Sequence, residues 1–205
     1  GDLAAEGKFY TDYVSKDDLL AAGNRIHEQM VDEGQVLLKN ENNALPLSSS
    51  ERDVTFLGLA TIDYVRSGGG SGQASGTSYA MDWIQAFQQE GFSLNPKTIE
   101  LYQNIFNVNG GKHDASDSGA MLEPDMSYYS KSVVTTFQAY NDVAVVCISR
   151  FGRENIDLKT NSVPGHSDVN DHYLQLDDNE LALIKLAKAN FPKVIVMINS
   201  SMIMQ

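Results

Sequence analysis

Val143-Ala144-Val145-Val146-Cys147-Ile148 is apolar at every position. Six residues without polar alternation suit a strand whose two faces are both covered, as happens in a parallel sheet between helices. The turn-forming Asn141-Asp142 precedes it, and Ser149-Arg150 leads out of it into an irregular stretch that runs to Gln175. Working outward, Val54–Leu59 and Val194–Ile198 read as two more buried strands, and Phe92–Leu94 as a short one. Between them the apolar residues follow helical spacing: Ala80, Trp83, Ile84 and Phe87; Ile99, Tyr102 and Phe106; Val133, Val134 and Phe137; Leu181, Ile184 and Ala187. Asp177 with Glu180 marks the start of the last of these helices. Helices alternating with continuously apolar strands predict an α/β fold, a three-layer α/β/α sandwich with a mostly parallel sheet in a single domain.

The flanks are less regular. Ser15 with Asp18, then Leu19, Ala22, Ile26 and Met30 before Gly34, predicts a lead-in helix. Gln35–Lys39 reads as a short strand, closed by the turn-rich Asn40-Glu41-Asn42-Asn43 before Pro46. The expected organisation is therefore an arm and helix over 1–34 and the sandwich over 35–205. From Val108 to Ser130 the chain is polar and aperiodic, a long loop or insertion. The chain begins with Gly1 rather than Met and ends in Asn199–Gln205, past a central-type strand with no following helix. Both ends suggest a piece of a longer protein.

Composition bounds the function. The 205 residues are 42% hydrophobic and 20% charged, enough for one soluble domain with a sizeable core. The single Cys147 excludes a disulfide framework, and no run approaches the 18 apolar residues that a membrane span requires. Gly1–Glu6 lacks the basic and apolar regions of a signal peptide. Twenty-seven acidic against fifteen basic side chains leave a net charge of −12. That field repels nucleic acid, anionic lipid and polyphosphate ligands, and leaves a neutral sugar or a small apolar molecule as ligand. Acidity equally serves solubility alone.

In doubly wound sheets ligands sit beyond the carboxyl ends of the strands. Two loops leave strands there with unusual content: Ser67-Gly68-Gly69-Gly70-Ser71-Gly72-Gln73, and Arg150-Phe151-Gly152-Arg153-Glu154-Asn155-Ile156-Asp157. In a parallel sheet both open on one edge, which makes that edge the candidate site. Gly70-Ser71-Gly72-Gln73-Ala74-Ser75 approaches the dinucleotide fingerprint but ends in Ser, and no acidic residue closes the following short strand. No Gly-Lys-Ser/Thr is present, and Gln73 breaks a nucleophile elbow. The loop is either a flexible turn or a close backbone approach to an uncharged ligand. Glu154 on residue type alone is either solvated or a catalytic carboxylate. His166, Asp168, Asp171 and His172 crowd one loop, but without Cys partners or helical i,i+4 spacing they suit a solvated loop better than a metal site. Cys147 reads as a small core residue.

Glu33-Gly34-Gln35-Val36-Leu37-Leu38-Lys39-Asn40-Glu41-Asn42-Asn43-Ala44-Leu45-Pro46-Leu47 strongly resembles the opening of the α/β-sandwich domain of glycoside hydrolase family 3. The Gly-Gly-Gly-Ser-Gly loop at 68–72 and Val145-Val146-Cys147-Ile148-Ser149-Arg150 are similar to that family as well. The likeness runs from about Phe9 onward, and the preamble through Gly23 is most similar to members in which this domain precedes the catalytic barrel. The resemblance implies a shared active site, in which a (β/α)8 barrel carries an aspartate nucleophile and the sandwich domain lends a glutamate as general acid/base. The family segment Gly-Gly-Glu-Gly-x-Asp matches Gly152-Arg153-Glu154-Asn155-Ile156-Asp157, which puts Glu154 at the acid/base position and Asp157 at a loop-supporting one. Ser71, with Gly70 before it, is similar to a serine that hydrogen-bonds the sugar in related enzymes. Arg153 and Asn155 replace the flanking glycines; Asn tolerates positive φ and Arg does not. Gln205 stands where relatives have Glu.

The implied function is a retaining β-glycosidase of β-glucosidase type, acting on a β-linked oligosaccharide or glucoside, with no metal or organic cofactor and with the protein's own barrel as partner. The chain by itself is expected to be inactive, since the nucleophile lies elsewhere. Either a cytoplasmic or a cell-surface bacterial enzyme fits. One rival reading is a non-catalytic carbohydrate-binding or covering module. A nucleotide-binding domain is opposed by the charge and by the missing fingerprint.

Overall fold

The computed structural model describes residues 12–65, 71, 81–108, 122–152, 154–200 and 202–205. The chain divides into two compact units, one ending at Asn43 and one running from Ala44 to Gln205.

The first unit holds helix α1, Lys16–Gly34. Ser15 caps it: its Oγ accepts from the Asp18 backbone N–H at 3.1 Å and donates to the Asp18 carboxylate at 2.8 Å. The chain leaves α1 extended at Gln35 (φ −73°, ψ 134°), as expected of a strand, but forms none. A strand exists only through its ladder. Val36, Leu37 and Leu38 pair with no strand among the described residues and are all exposed. The expected turn follows as a 3₁₀ turn over Glu41–Asn43, with Asn42 and Asn43 in the left-handed region (φ 55° and 54°).

The second unit is built on four parallel strands, β1 (Asp53–Leu57), β2 (Ser93–Leu94), β3 (Val143–Arg150) and β4 (Val194–Ser200), in the spatial order β2-β1-β3-β4. Val54 lies opposite Val143 in the β1–β3 ladder, and Ala144 opposite Val194 in the β3–β4 ladder. Central β3 is buried at all eight positions, which is why its sequence shows no alternation. Odd and even residues nonetheless serve different cores. Val143, Val145 and Cys147 pack with Val54, Phe56 and helix α2 (Trp83–Gln89), where the Phe56 and Phe87 rings meet edge to face at 4.9 Å. Ala144, Val146 and Ile148 pack on the opposite face with Tyr102 of α3 (Pro96–Val108), Val133 of α4 (Lys131–Val134), Phe137 of the 3₁₀ turn that extends it, and Leu183 and Ala187 of α5 (Asp178–Asn190). A parallel sheet with helices on both faces is the expected architecture. The carboxyl ends of β1, β3 and β4 thereby share one edge.

Gly58 ends β1 at φ 99°, where a Cβ would stand 2.3 Å from the Cys147 carbonyl oxygen. Only glycine lets the chain turn this close to β3. At the opposite edge, one oxygen of Asp142 accepts from the backbone N–H groups of Arg52 and Asp53, both at 2.9 Å, so the residue before β3 aligns the start of β1.

Candidate active site

The carboxyl edge is assembled from backbone outward. The connection leaving β1 is fastened across the sheet: the Val65 N–H donates to Asn199 Oδ1 at 2.6 Å, and Ser149 Oγ donates to the same oxygen at 2.8 Å. Val65 is thereby held against the ends of β3 and β4. The two loops singled out from sequence then meet. Ser71 donates to Glu154 Oε2 twice, from its backbone N–H at 3.0 Å and from its hydroxyl.

Both donors favour the ionised carboxyl. The Ser71 hydroxyl first, and its N–H second, hold Glu154 below the ordinary glutamate value, in an exposed position where burial opposes them little. Asn155 sits at φ 62°. The position after the glutamate therefore does require the left-handed region, and Asn occupies it at small cost. Asp157 is exposed, and among the described residues its carboxylate has no hydrogen-bond or ion-pair partner. Gly70, the rest of the glycine loop and Arg153 lie outside the described residues.

Beneath the Glu154 loop lies a buried ion pair that sequence reading did not single out. Arg150, the last residue of β3, uses all five of its N–H donors. Nη1 and Nη2 each donate to one Glu180 oxygen at 2.6 Å, Nη1 also reaches the Ser149 carbonyl at 3.0 Å, Nη2 the Gln175 carbonyl at 2.6 Å, and Nε the Tyr173 carbonyl at 2.9 Å. Both side chains of the pair are under a tenth exposed. Burial opposes the guanidinium charge, but the Glu180 carboxylate outweighs it and raises the Arg150 pKa further. Glu180 also closes the capping box of α5: the Asp177 N–H donates to its carboxylate at 2.9 Å, and the Glu180 N–H donates to Asp177 at 2.7 Å. The expected capping role is real, and it is half of what Glu180 does. The overlooked signal was a lone Arg at the end of an otherwise apolar strand, because a buried cation must have a partner.

A second buried carboxyl stands behind β1. The Leu59 N–H donates to Glu123 at 2.8 Å, and the Tyr129 hydroxyl donates to its other oxygen at 3.0 Å. The Tyr102 hydroxyl lies 2.6 Å from that of Tyr129 and accepts from the Gly58 N–H at 2.7 Å. Burial raises Glu123 to about 8, with Glu180 and Asp177 adding repulsion. Burial, then Glu180, also raises Asp177 to about 6. Glu123 lies in a stretch without periodicity, so nothing local announced it.

The four-residue His/Asp group does not converge. Buried His166 lies 3.5 Å from Asp171, whereas His172 Nε2 lies 2.9 Å from Gln205 Oε1, and among the described residues no three such side chains could hold a metal ion.

Residues 35–205 match the model of the glycosyl hydrolase family 3 C-terminal domain. The chain belongs to glycosyl hydrolase family 3. It is 30% identical over 182 residues to beta-glucosidase A of Butyrivibrio fibrisolvens, an alignment covering 82% of this chain and 21% of that protein. Among solved structures, a beta-glucosidase from Paenibacillus barengoltzii superposes with a TM-score of 0.70 at 26% identity, covering 88% of this chain and 19% of that one. Beta-glucosidase 3B from Thermotoga neapolitana, in complex with alpha-D-glucose, superposes with a TM-score of 0.67 at 26% identity over 88% and 24% of the two chains. The chain thus spans about a fifth of the length of the relatives it matches. Within family 3, it corresponds to the C-terminal domain of beta-glucosidases.

Proposed function

We propose that the full-length protein is a retaining β-glycosidase of β-glucosidase type, and that this domain supplies Glu154 as general acid/base and Ser71 as a sugar-pocket donor. The nucleophile comes from a (β/α)8 barrel of the same protein, residues 35–205 act as the sandwich domain, and 1–34 as its lead-in. The observation that carries this reading is the contact between Ser71 and Glu154, which joins two loops 83 residues apart at the carboxyl edge of the sheet.

Retaining chemistry needs two carboxyl groups about 5–5.5 Å apart, one attacking the anomeric carbon and one protonating the leaving oxygen. With only this domain present, Glu154 is in the ionised form that serves the second half of the reaction, activating water against the glycosyl-enzyme. The first half needs it protonated. Two changes supply the proton affinity: a sugar hydroxyl takes over the Ser71 donors, and the barrel's carboxylate closes opposite Glu154 and repels its charge. The loop-supporting roles of Gly70 and Asp157 rest on the family resemblance alone, since the Asp157 carboxylate has no hydrogen-bond or ion-pair partner among the described residues. The substrate is a β-linked oligosaccharide or glucoside. The rival, a non-catalytic covering module, draws on the loss of both glycines flanking Glu154, to Arg153 and Asn155; the positive φ at Asn155 weakens the second half of that argument, and Arg153 lies outside the described residues.

The test is leaving-group dependence in the full-length gene product. Glu154→Gln should lower kcat on a β-disaccharide by about 10²–10⁴-fold, and far less on a substrate with an activated phenol leaving group. Near-normal disaccharide cleavage would favour the covering module.

A further inference from the structure

The base of the Glu154 loop is clamped from beneath by residues that do not reach the reacting atoms. Tyr173 acts on the chain leaving β3 at two successive residues: its carbonyl accepts from Arg150 Nε at 2.9 Å, and its hydroxyl accepts from the Phe151 backbone N–H at 2.9 Å. Its ring also lies under the guanidinium, 5.5 Å from centroid to Cζ. Arg150 itself is locked by the bidentate pair with Glu180 and by the Gln175 carbonyl. Glu180 is in turn fixed by the capping box at the head of α5. The direction in which Phe151 and Gly152 leave the strand is therefore set by α5 and by 173–175, through one cation whose five donors are all engaged. Glu154 follows three residues after Phe151, and the described contacts on its own side chain come from Ser71.

We infer that Arg150, Glu180 and Tyr173 form a positioning clamp that aims the Glu154 carboxyl for proton transfer. The inference rests on Glu154 being the acid/base. A buried ion pair is a poor source of net stability compared with apolar packing of the same volume, but it enforces one geometry. An ammonium has three donors where the guanidinium has five, and lacks its planar fork, so Arg150→Lys cannot restore the clamp. Proton transfer is steeply sensitive to placement, and an error of about 1 Å in a catalytic group costs on the order of 10²-fold.

Tyr173→Phe provides the test, because it removes only the hydroxyl that holds the Phe151 N–H and leaves the ion pair and the ring in place. In the full-length gene product, kcat on a β-disaccharide should fall by at least about tenfold, with KM changed less than about twofold. Cleavage of an aryl glucoside with an activated phenol should fall less than about threefold, since that leaving group needs little protonation. Arg150→Lys, assayed where its thermal transition shows it folded, should show the same asymmetry at larger size. Equal losses on both substrates, or no loss, in folded Tyr173→Phe would overturn the clamp. Glu154→Gln is assayed beside it. If that variant shows the asymmetry and Tyr173→Phe does not, the clamp alone fails. If Glu154→Gln shows none, the acid/base assignment fails and the clamp falls with it.

Discussion

Ser71 gives two hydrogen bonds to one oxygen of Glu154, and the arrangement has a measurable consequence in this chain alone. Both bonds stabilise the carboxylate, so the Glu154 side chain should titrate below the ordinary glutamate value in a carbon-detected NMR titration. Ser71→Ala deletes the hydroxyl and keeps the backbone N–H, so it should raise that pKa part of the way back. An unchanged titration in Ser71→Ala would mean that the two loops do not meet in solution. That a residue of each loop would meet at one edge was legible from sequence, because both loops follow continuously apolar strands of one parallel sheet. Arg150, Tyr173 and Glu123 were not legible, and Glu180 only as a cap, because the deciding contacts, Phe151–Tyr173, Arg150–Glu180 and Leu59–Glu123, span 22, 30 and 64 residues. A charge at a strand end announces that a partner exists without saying which one.

At the scale of elements, hydrophobic continuity located β1, β3 and β4, and the Asp177–Glu180 pair located α5. Gln35–Lys39 has the composition of a strand without forming one, because apolarity is a property of the segment and pairing is not. The buried Asn95 was equally invisible in sequence: its carbonyl oxygen accepts from the Lys97 N–H at 3.0 Å, while its amide donates to Thr55 at 3.2 Å and Thr136 at 2.9 Å. Two substitutions probe the elements that carry the site. Gly58→Ala places a methyl against the Cys147 carbonyl at a positive φ, and should cost more than about 2 kcal/mol in urea denaturation. Arg150→Met strands the Glu180 carboxylate in the interior, and should cost about 3–5 kcal/mol by the same measurement. A loss under about 1 kcal/mol in either case would contradict the packing described at that point.

For the whole molecule, the buried carboxyls set an unusual pH response. Glu123 holds its proton in the folded state from about 4.5, where it would lose it unfolded, up to about 8. Across that window the native state binds more protons than the unfolded state, so stability falls as pH rises, by on the order of 1.4 kcal/mol per pH unit for one full proton. Asp177, raised to about 6, adds the same sign in the lower part of the window. Glu51 acts oppositely: it is lowered to about 2 by the Lys193 ion pair and by the Ser48 N–H, so its contribution is present above 4.5 and lost only as pH falls towards 2. Glu51 acts below 4.5 and Glu123 above it, so those two responses occupy separate ranges. Glu123→Gln keeps an acceptor for the Leu59 N–H and removes the titration, so it should flatten the decline between pH 6 and about 8. An undiminished slope would locate the response elsewhere.

In the full-length gene product Glu154 is proposed both to donate and later to accept the proton of glycosidic cleavage, and one measurement addresses both halves. On an activated aryl β-glucoside, Glu154→Gln can still form the glycosyl-enzyme but lacks a base to activate water. Mass spectrometry of the quenched reaction should therefore show the covalent intermediate accumulating. Added azide, which needs no base, should restore turnover and yield the β-glycosyl azide. A Glu154→Gln enzyme that neither accumulates intermediate nor forms the azide, while still hydrolysing the aryl glucoside at close to the wild-type rate, would contradict the account.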